Sequence, residues 1–147
     1  MNCLTANSIS TAGGNTIAMA AGNSVLDFIE SHDLQANAAD VGRLQSTGLQ
    51  ELATRHPLTG DVRGAGLMLG VELVENGTEK PAVAATNTIL TQCRKRGLLI
   101  GKRGLSGNVL RVTPPMTVTI EEAKQALGIL DDVLTYVASR AEPQPIH

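Results

Sequence analysis

The hydrophobic period changes along this 147-residue chain, and those changes fix the kinds of element it can form. From Leu34 to Arg55, Leu34, Ala38, Val41, Leu44, Gly48, Leu49 and Leu52 fall on one face of a helix. His56-Pro57 ends it, because the residue before proline disfavours helical geometry. Asp61 to Val74 is broken by glycines and loses that period, and Leu67 to Val74 reads as a buried strand. Glu75-Asn76-Gly77 is a turn. Helical spacing returns over about Ala82 to Arg96, with Val83, Thr86, Ile89, Leu90 and Cys93 inward and Gly97 at the C-terminal cap. Leu98 to Ile100 and Asn108 to Thr113 read as short strands. Thr119-Ile120-Glu121-Glu122 has the form of a capping box. It opens a last helix with Ala126, Leu127, Leu130, Val133, Leu134 and Val137 inward. Ahead of all these, Asn15 to about Ile29 is a helix of small apolar residues, in which Gly22 suits close packing, and Ser31-His32-Asp33 ends it. The order ααβαββα describes an α+β domain, a short β-sheet packed by amphipathic helices.

Composition narrows function more than fold. Twelve Lys+Arg against 14 Asp+Glu give a formal charge of −2, which excludes a broad basic surface for nucleic acid or an anionic membrane. There is no Trp, and Phe28 and Tyr136 are the single Phe and Tyr. Base-stacking platforms are excluded and the core is aliphatic. Cys3 and Cys93 have no CxxC or Cys/His spacing around them, so no metal site or disulfide scaffold is expected. A reduced, cytoplasmic setting is the default. No apolar run approaches the roughly 20 residues of a membrane span. The start of the chain lacks the basic and apolar regions of a signal peptide. Asn76-Gly77-Thr78 fits a glycosylation triplet but reads as part of the turn.

Few residues carry chemistry. Gly64-Ala65-Gly66-Leu67-Met68-Leu69-Gly70 has GxGxxxG spacing and leads into a strand. A phosphate cradle needs a helix N-terminus there, so these glycines read as tight strand packing. Ser10-Thr11-Ala12-Gly13-Gly14-Asn15 sets two hydroxyls and two glycines before a helix. It is either an anion seat or a plain N-cap by Thr11 or Asn15. Period two sets Arg111 opposite in face to Leu110 and Val112. Its guanidinium either grips a carboxylate through two parallel hydrogen bonds or pairs with Glu72 or solvent. Arg63 has the same choice, with pairing favoured. His32, His56 and His147 read as surface residues. Lys80, Lys95, Lys102 and Lys124 all lie outside apolar runs that would make them nucleophilic.

Taken together, four stretches resemble the class III pyridoxal-phosphate aminotransferases. Ser10 to Asn15 is similar to that family's S/N-T-x-G-G-N segment, and Gly60 to Leu73 (GDVRGAGLMLGVEL) to its GDVRGxGLMxGxEL stretch. Gly97 to Gly101 and Gly107 to Met116 are similar to its closing GLL…NxLRxxPP segment. The matches come in order and cover about Ser10 to Val137; the wording GLLIGKRGLSGNVLR is similar to the alanine–glyoxylate aminotransferase branch. The resemblance implies fold type I. Residues 10–33 would then form a helix equivalent to the end of the large domain, residues 34–140 the small C-terminal domain, 1–9 a disordered lead-in and 141–147 a frayed tail. It implies that Thr11, with Ser10 beside it, contacts the cofactor phosphate across a dimer interface, and that Arg111 grips the substrate carboxylate.

The family's Schiff-base lysine, pyridine-nitrogen aspartate, ring-stacking aromatic and glycine-rich phosphate loop precede the S/N-T-x-G-G-N segment and have no counterpart here. Ala12 stands where an aromatic residue is common. The expectation is a C-terminal fragment or truncated relative of the family, inactive alone and binding no pyridoxal phosphate covalently, with no catalytic residue of its own. The alternatives are a non-catalytic module for small anions or partner proteins, or one half of a split aminotransferase. The apolar first helix predicts a homo-oligomer or a missing N-terminal half as partner.

Overall fold

The computed structural model describes residue 11 and residues 13–141; Ser10, Ala12, the lead-in and residues 142–147 lie outside them. The chain divides after Gln35 into two compact units.

In the first unit, α1 (Thr16–Ser31) starts on Asn15, whose Oδ1 accepts hydrogen bonds from the amides of Ile17 (2.9 Å) and Ala18 (3.3 Å). The cap is therefore Asn15. No α1 residue is buried, and Ile17, Met19, Val25, Leu26 and Phe28 are exposed. Gly22, expected at a close contact, has nothing within 4 Å of a Cβ built on it.

Helix α2 (Leu34–Arg55) leads into the second unit, which continues with β1 (Thr59–Ala65), β2 (Met68–Leu73), α3 (Val83–Lys95), β3 (Gly101–Arg103), β4 (Val109–Val112) and α4 (Ile120–Ala141). The strands form one antiparallel sheet in the order β1-β2-β4-β3. Alternation sends Leu69, Val71 and Leu73 of β2 and Leu110 and Val112 of β4 to one face. There they join Ile89 and Cys93 of α3, Leu49 and Leu52 of α2, and Leu130, Val133, Leu134 and Val137 of α4 in one aliphatic core. A smaller cluster of Val41, Val118 and Ala123 ties α2 to α4. The capping box forms: Thr119 N donates to Glu122 Oε2 (2.9 Å) and Glu122 N to Thr119 Oγ1 (3.2 Å). The Cys93 thiol is pushed up to about 11 by burial, which makes it a poor nucleophile. No helix among the described residues is long and apolar enough to cross a membrane.

Three sequence expectations need correction. The glycine-broken stretch before Leu67 is itself a strand, β1, so the order is ααββαββα. It lacks an apolar run because its residues are largely exposed. The strand expected at Leu98 to Ile100 begins instead at Gly101, opposite Arg111. Extending that register would set Leu98 against Pro114, which has no N–H to donate. Finally, His56 is no surface residue: it is 9% exposed, with Nε2 2.7 Å from Asp131 Oδ1 on α4. That hydrogen bond is the main reason the Asp131 carboxyl lies below its ordinary value, with Arg55 adding to it.

Replacing His56 by alanine is expected to lower stability by about 1–2 kcal/mol in urea unfolding. Because the folded carboxyl of Asp131 is depressed, its contribution is complete above the ordinary aspartate pKa of about 3.9 and is lost as pH falls through the lowered value. His56→Ala should flatten that acid limb; an unchanged limb contradicts the pairing.

Candidate carboxylate-binding site

Residues directly opposite in an antiparallel sheet share a face. On the face away from the core, one row across all four strands reads Arg63, Gly70, Arg111, Gly101. Arg111 thus has glycine on both sides. Its side chain leans over Gly101, where a Cβ would lie 3.4 Å from Nη2 and 3.5 Å from Nε. The missing side chain at Gly101 leaves room for the guanidinium, while the space over Gly70 is taken by Val109 Cγ1, 3.3 Å from where a Cβ would lie.

Sequence alone left Glu72 as a partner for Arg111. The structure gives Glu72 to Arg63, whose Nη1 donates to Glu72 Oε2 at 2.7 Å and to Asp61 Oδ2 at 2.6 Å. These contacts, Asp61 first, raise the Arg63 pKa above its usual value. Among the described residues Arg111 has no ion pair. Arg63 is therefore a paired arginine and Arg111 an open one.

A cavity of about 450 Å³ opens beside Arg111, walled by Leu98 to Gly101, Arg111 to Pro115, Val118, Ala126, Gln45 and Glu122. The Glu122 carboxylate is held below its ordinary range by the amide and hydroxyl of Thr119, so it is ionised at neutral pH. Gln45 is 3% exposed, and its Oε1 has no hydrogen-bond partner. Sequence reading passed over Gln45, although it lies four residues from both Val41 and Leu49 on the inward stripe. A polar residue at that spacing was the available signal. Replacing it with the isosteric Met is expected to raise stability by about 1 kcal/mol, since it removes a buried acceptor left unsatisfied. A lower melting temperature in Gln45→Met would show that the amide is satisfied.

Among the described residues no lysine is placed to bind pyridoxal phosphate covalently beside Arg111. Lys80, Lys95, Lys102 and Lys124 are all exposed, and none lines the Arg111 cavity. Lys102 Nζ donates to Asn87 Oδ1 at 2.6 Å. Tyr136 lies under the guanidinium groups of Arg96 and Arg140, 5.6 and 4.8 Å from its ring centroid, leaving it unsuited to stack on another ring. Thr11 is exposed in a turn ahead of α1, and Ser10 falls outside the described residues. No cluster of His, Cys, Asp and Glu suited to a metal occurs among the described residues.

Residues 1–134 match the class III aminotransferase family. The chain is 47% identical to the mitochondrial alanine–glyoxylate aminotransferase 2 homolog 2 of Arabidopsis thaliana over 122 residues, covering 82% of this chain and 26% of that protein. It is 38% identical to an alanine/serine racemase of Pyrococcus horikoshii over 132 residues, 89% of this chain and 27% of that protein. An aminotransferase structure from Bacillus anthracis superposes with a TM-score of 0.81 at 32% identity, covering 89% of this chain and 30% of that one. The chain thus spans little more than a quarter of the curated relatives it matches. With the match running through both the Arg63 hairpin and the Arg111 strand, this chain belongs to the class III aminotransferases, a family dependent on pyridoxal phosphate.

Proposed function

We propose that this chain is a C-terminal portion of a class III aminotransferase that carries the carboxylate anchor of the substrate site but no catalytic centre. In this reading residues 34–140 are the small domain and residues 10–33 the end of the large one. The observation that supports it best is Arg111, open on its strand between two glycines and beside a cavity. A guanidinium so placed binds a carboxylate bidentately and fixes its plane, orienting a small 2-oxo or amino acid without moving a proton. In the family, pyridoxal phosphate supplies the electron sink for amino-group transfer, and Thr11 with Ser10 would meet its phosphate.

The test is a titration of the ¹⁵N-labelled chain with pyruvate. Saturable movement of the Arg111 Nε–Hε resonance is expected, and no movement up to high concentration overturns the reading. The exposed apolar residues of α1 support a homo-oligomer or an N-terminal partner. Sedimentation equilibrium should give a dimer or larger species, whereas a monomer at high concentration contradicts self-association. The buried, unpaired Cys93 suits a reducing cytoplasm, the compartment we assign.

A further inference from the structure

Asp61, Arg63 and Glu72 take no part in the core, yet they are bonded into one unit on the outer face of the sheet. What that unit prevents is visible in the register. Gly70 lies opposite Arg111, and Glu72, two residues on, lies opposite Val109. Glu72 and Arg111 are therefore diagonal neighbours on one face. Such neighbours are about 7–8 Å apart, within reach of long side chains. Gly70 itself carries no side chain, and the space over it is taken by Val109 Cγ1, 3.3 Å from where a Gly70 Cβ would lie, so the two long side chains would meet above Val109. A released Glu72 would be an internal carboxylate competing for the guanidinium that a ligand carboxylate needs.

We infer that Arg63 is a positioning residue that, by holding Glu72 on the β1 side of the sheet, keeps Arg111 free for a ligand carboxylate. The inference rests on the carboxylate reading of Arg111. Two features of the geometry fit it. A single Arg63 nitrogen serves both Asp61 and Glu72 Oε2, at 2.6 and 2.7 Å, while Asn108 Nδ2 reaches the other Glu72 oxygen only at 3.5 Å, so Arg63 makes the shorter hold on Glu72. Arg111, for its part, leans toward Gly101 on β3, on the opposite side of β4 from Glu72. The arrangement leaves the row with one occupied and one available guanidinium.

The test compares wild type, Arg63→Leu, Glu72→Gln and Arg63→Leu/Glu72→Gln, with propionate as the probe. Two quantities are read: the dissociation constant, and the position of the Arg111 Nε–Hε resonance without ligand. An exposed ion pair contributes up to about 1 kcal/mol, so Arg63→Leu is expected to weaken propionate binding by about three- to fivefold. It should also shift the ligand-free resonance as Glu72 takes the guanidinium. The double variant should return both readings to near wild type, because glutamine carries no charge to compete. A merely structural role for Arg63 predicts that the double variant stays as weak as Arg63→Leu, and that result overturns the inference, as does an unaltered Arg63→Leu. If wild type itself binds no propionate, the carboxylate reading fails. The ligand-free resonance then decides separately: a shift in Arg63→Leu that Glu72→Gln reverses supports the Arg63 role, and its absence overturns it.

Discussion

Arg111→Leu is expected to weaken binding of small carboxylic acids by about 10- to 100-fold while leaving the fold intact. The loss follows from removing a charge-assisted contact that, on an exposed strand, is worth about 1.5–3 kcal/mol in all. The fold should survive because Arg111 is exposed and unpaired, whereas its neighbours Leu110 and Val112 fill the core on the opposite face. Arg111→Lys separates charge from geometry. It keeps the cation but loses the planar fork, so it should recover only part of the affinity. Pyruvate titration followed at backbone amides of β3 and β4 measures both variants. Wild-type affinity in Arg111→Leu would show that acids bind elsewhere.

Gly64→Ala is expected to be the most destabilising of the single-methyl changes, by about 3 kcal/mol or more. Gly64 sits on β1 opposite Leu69 with φ at +139°, a region that side chains rarely adopt. A Cβ there would collide with the Met68 carbonyl oxygen and lie 2.9 Å from Leu69 Cα. Neither is the end of a flexible side chain, so the hairpin itself must move. Because that hairpin carries Asp61, Arg63 and Glu72, the change should also disturb the outer face. Gly128→Ala is the control: within α4 and with nothing within 4 Å of its Cβ, it should stabilise by about 0.5–1 kcal/mol. Thermal unfolding of the pair reads both signs, and equal effects would contradict the account of Gly64.

Much of this fold could be read from periodicity. Helix α2 ends where His56-Pro57 predicts, and Thr119 and Glu122 cap α4 as their spacing requires. The alternation about Arg111 also places Leu110 and Val112 in the core. Periodicity failed where pairing rather than burial decides structure. Strand β1 is held by its ladder to β2 and shows no apolar run, and β3 is placed by where β4 stops pairing. The same limit applies to the site. That Arg111 could bind a carboxylate was legible, but that it would be free was not. Its freedom depends on Gly70 and Gly101 being its row neighbours and on Glu72 turning to Arg63, all consequences of register. His56 and Asp131 lie 75 residues apart in sequence, and no local pattern announces such a pair. Gln45 alone was within reach of sequence reasoning, as a polar break in an apolar stripe.

Whether this chain is a carboxylate anchor without a catalytic centre is decided by titration of the purified chain with pyridoxal phosphate, followed by borohydride reduction and intact-mass analysis. With every lysine exposed and none at the Arg111 cavity, no saturable band is expected at roughly 410–430 nm, the region of the cofactor's internal imine, and no stoichiometric adduct. A one-to-one adduct mapped to a single lysine, Lys102 for example, would contradict this expectation and make the chain a candidate enzyme in its own right.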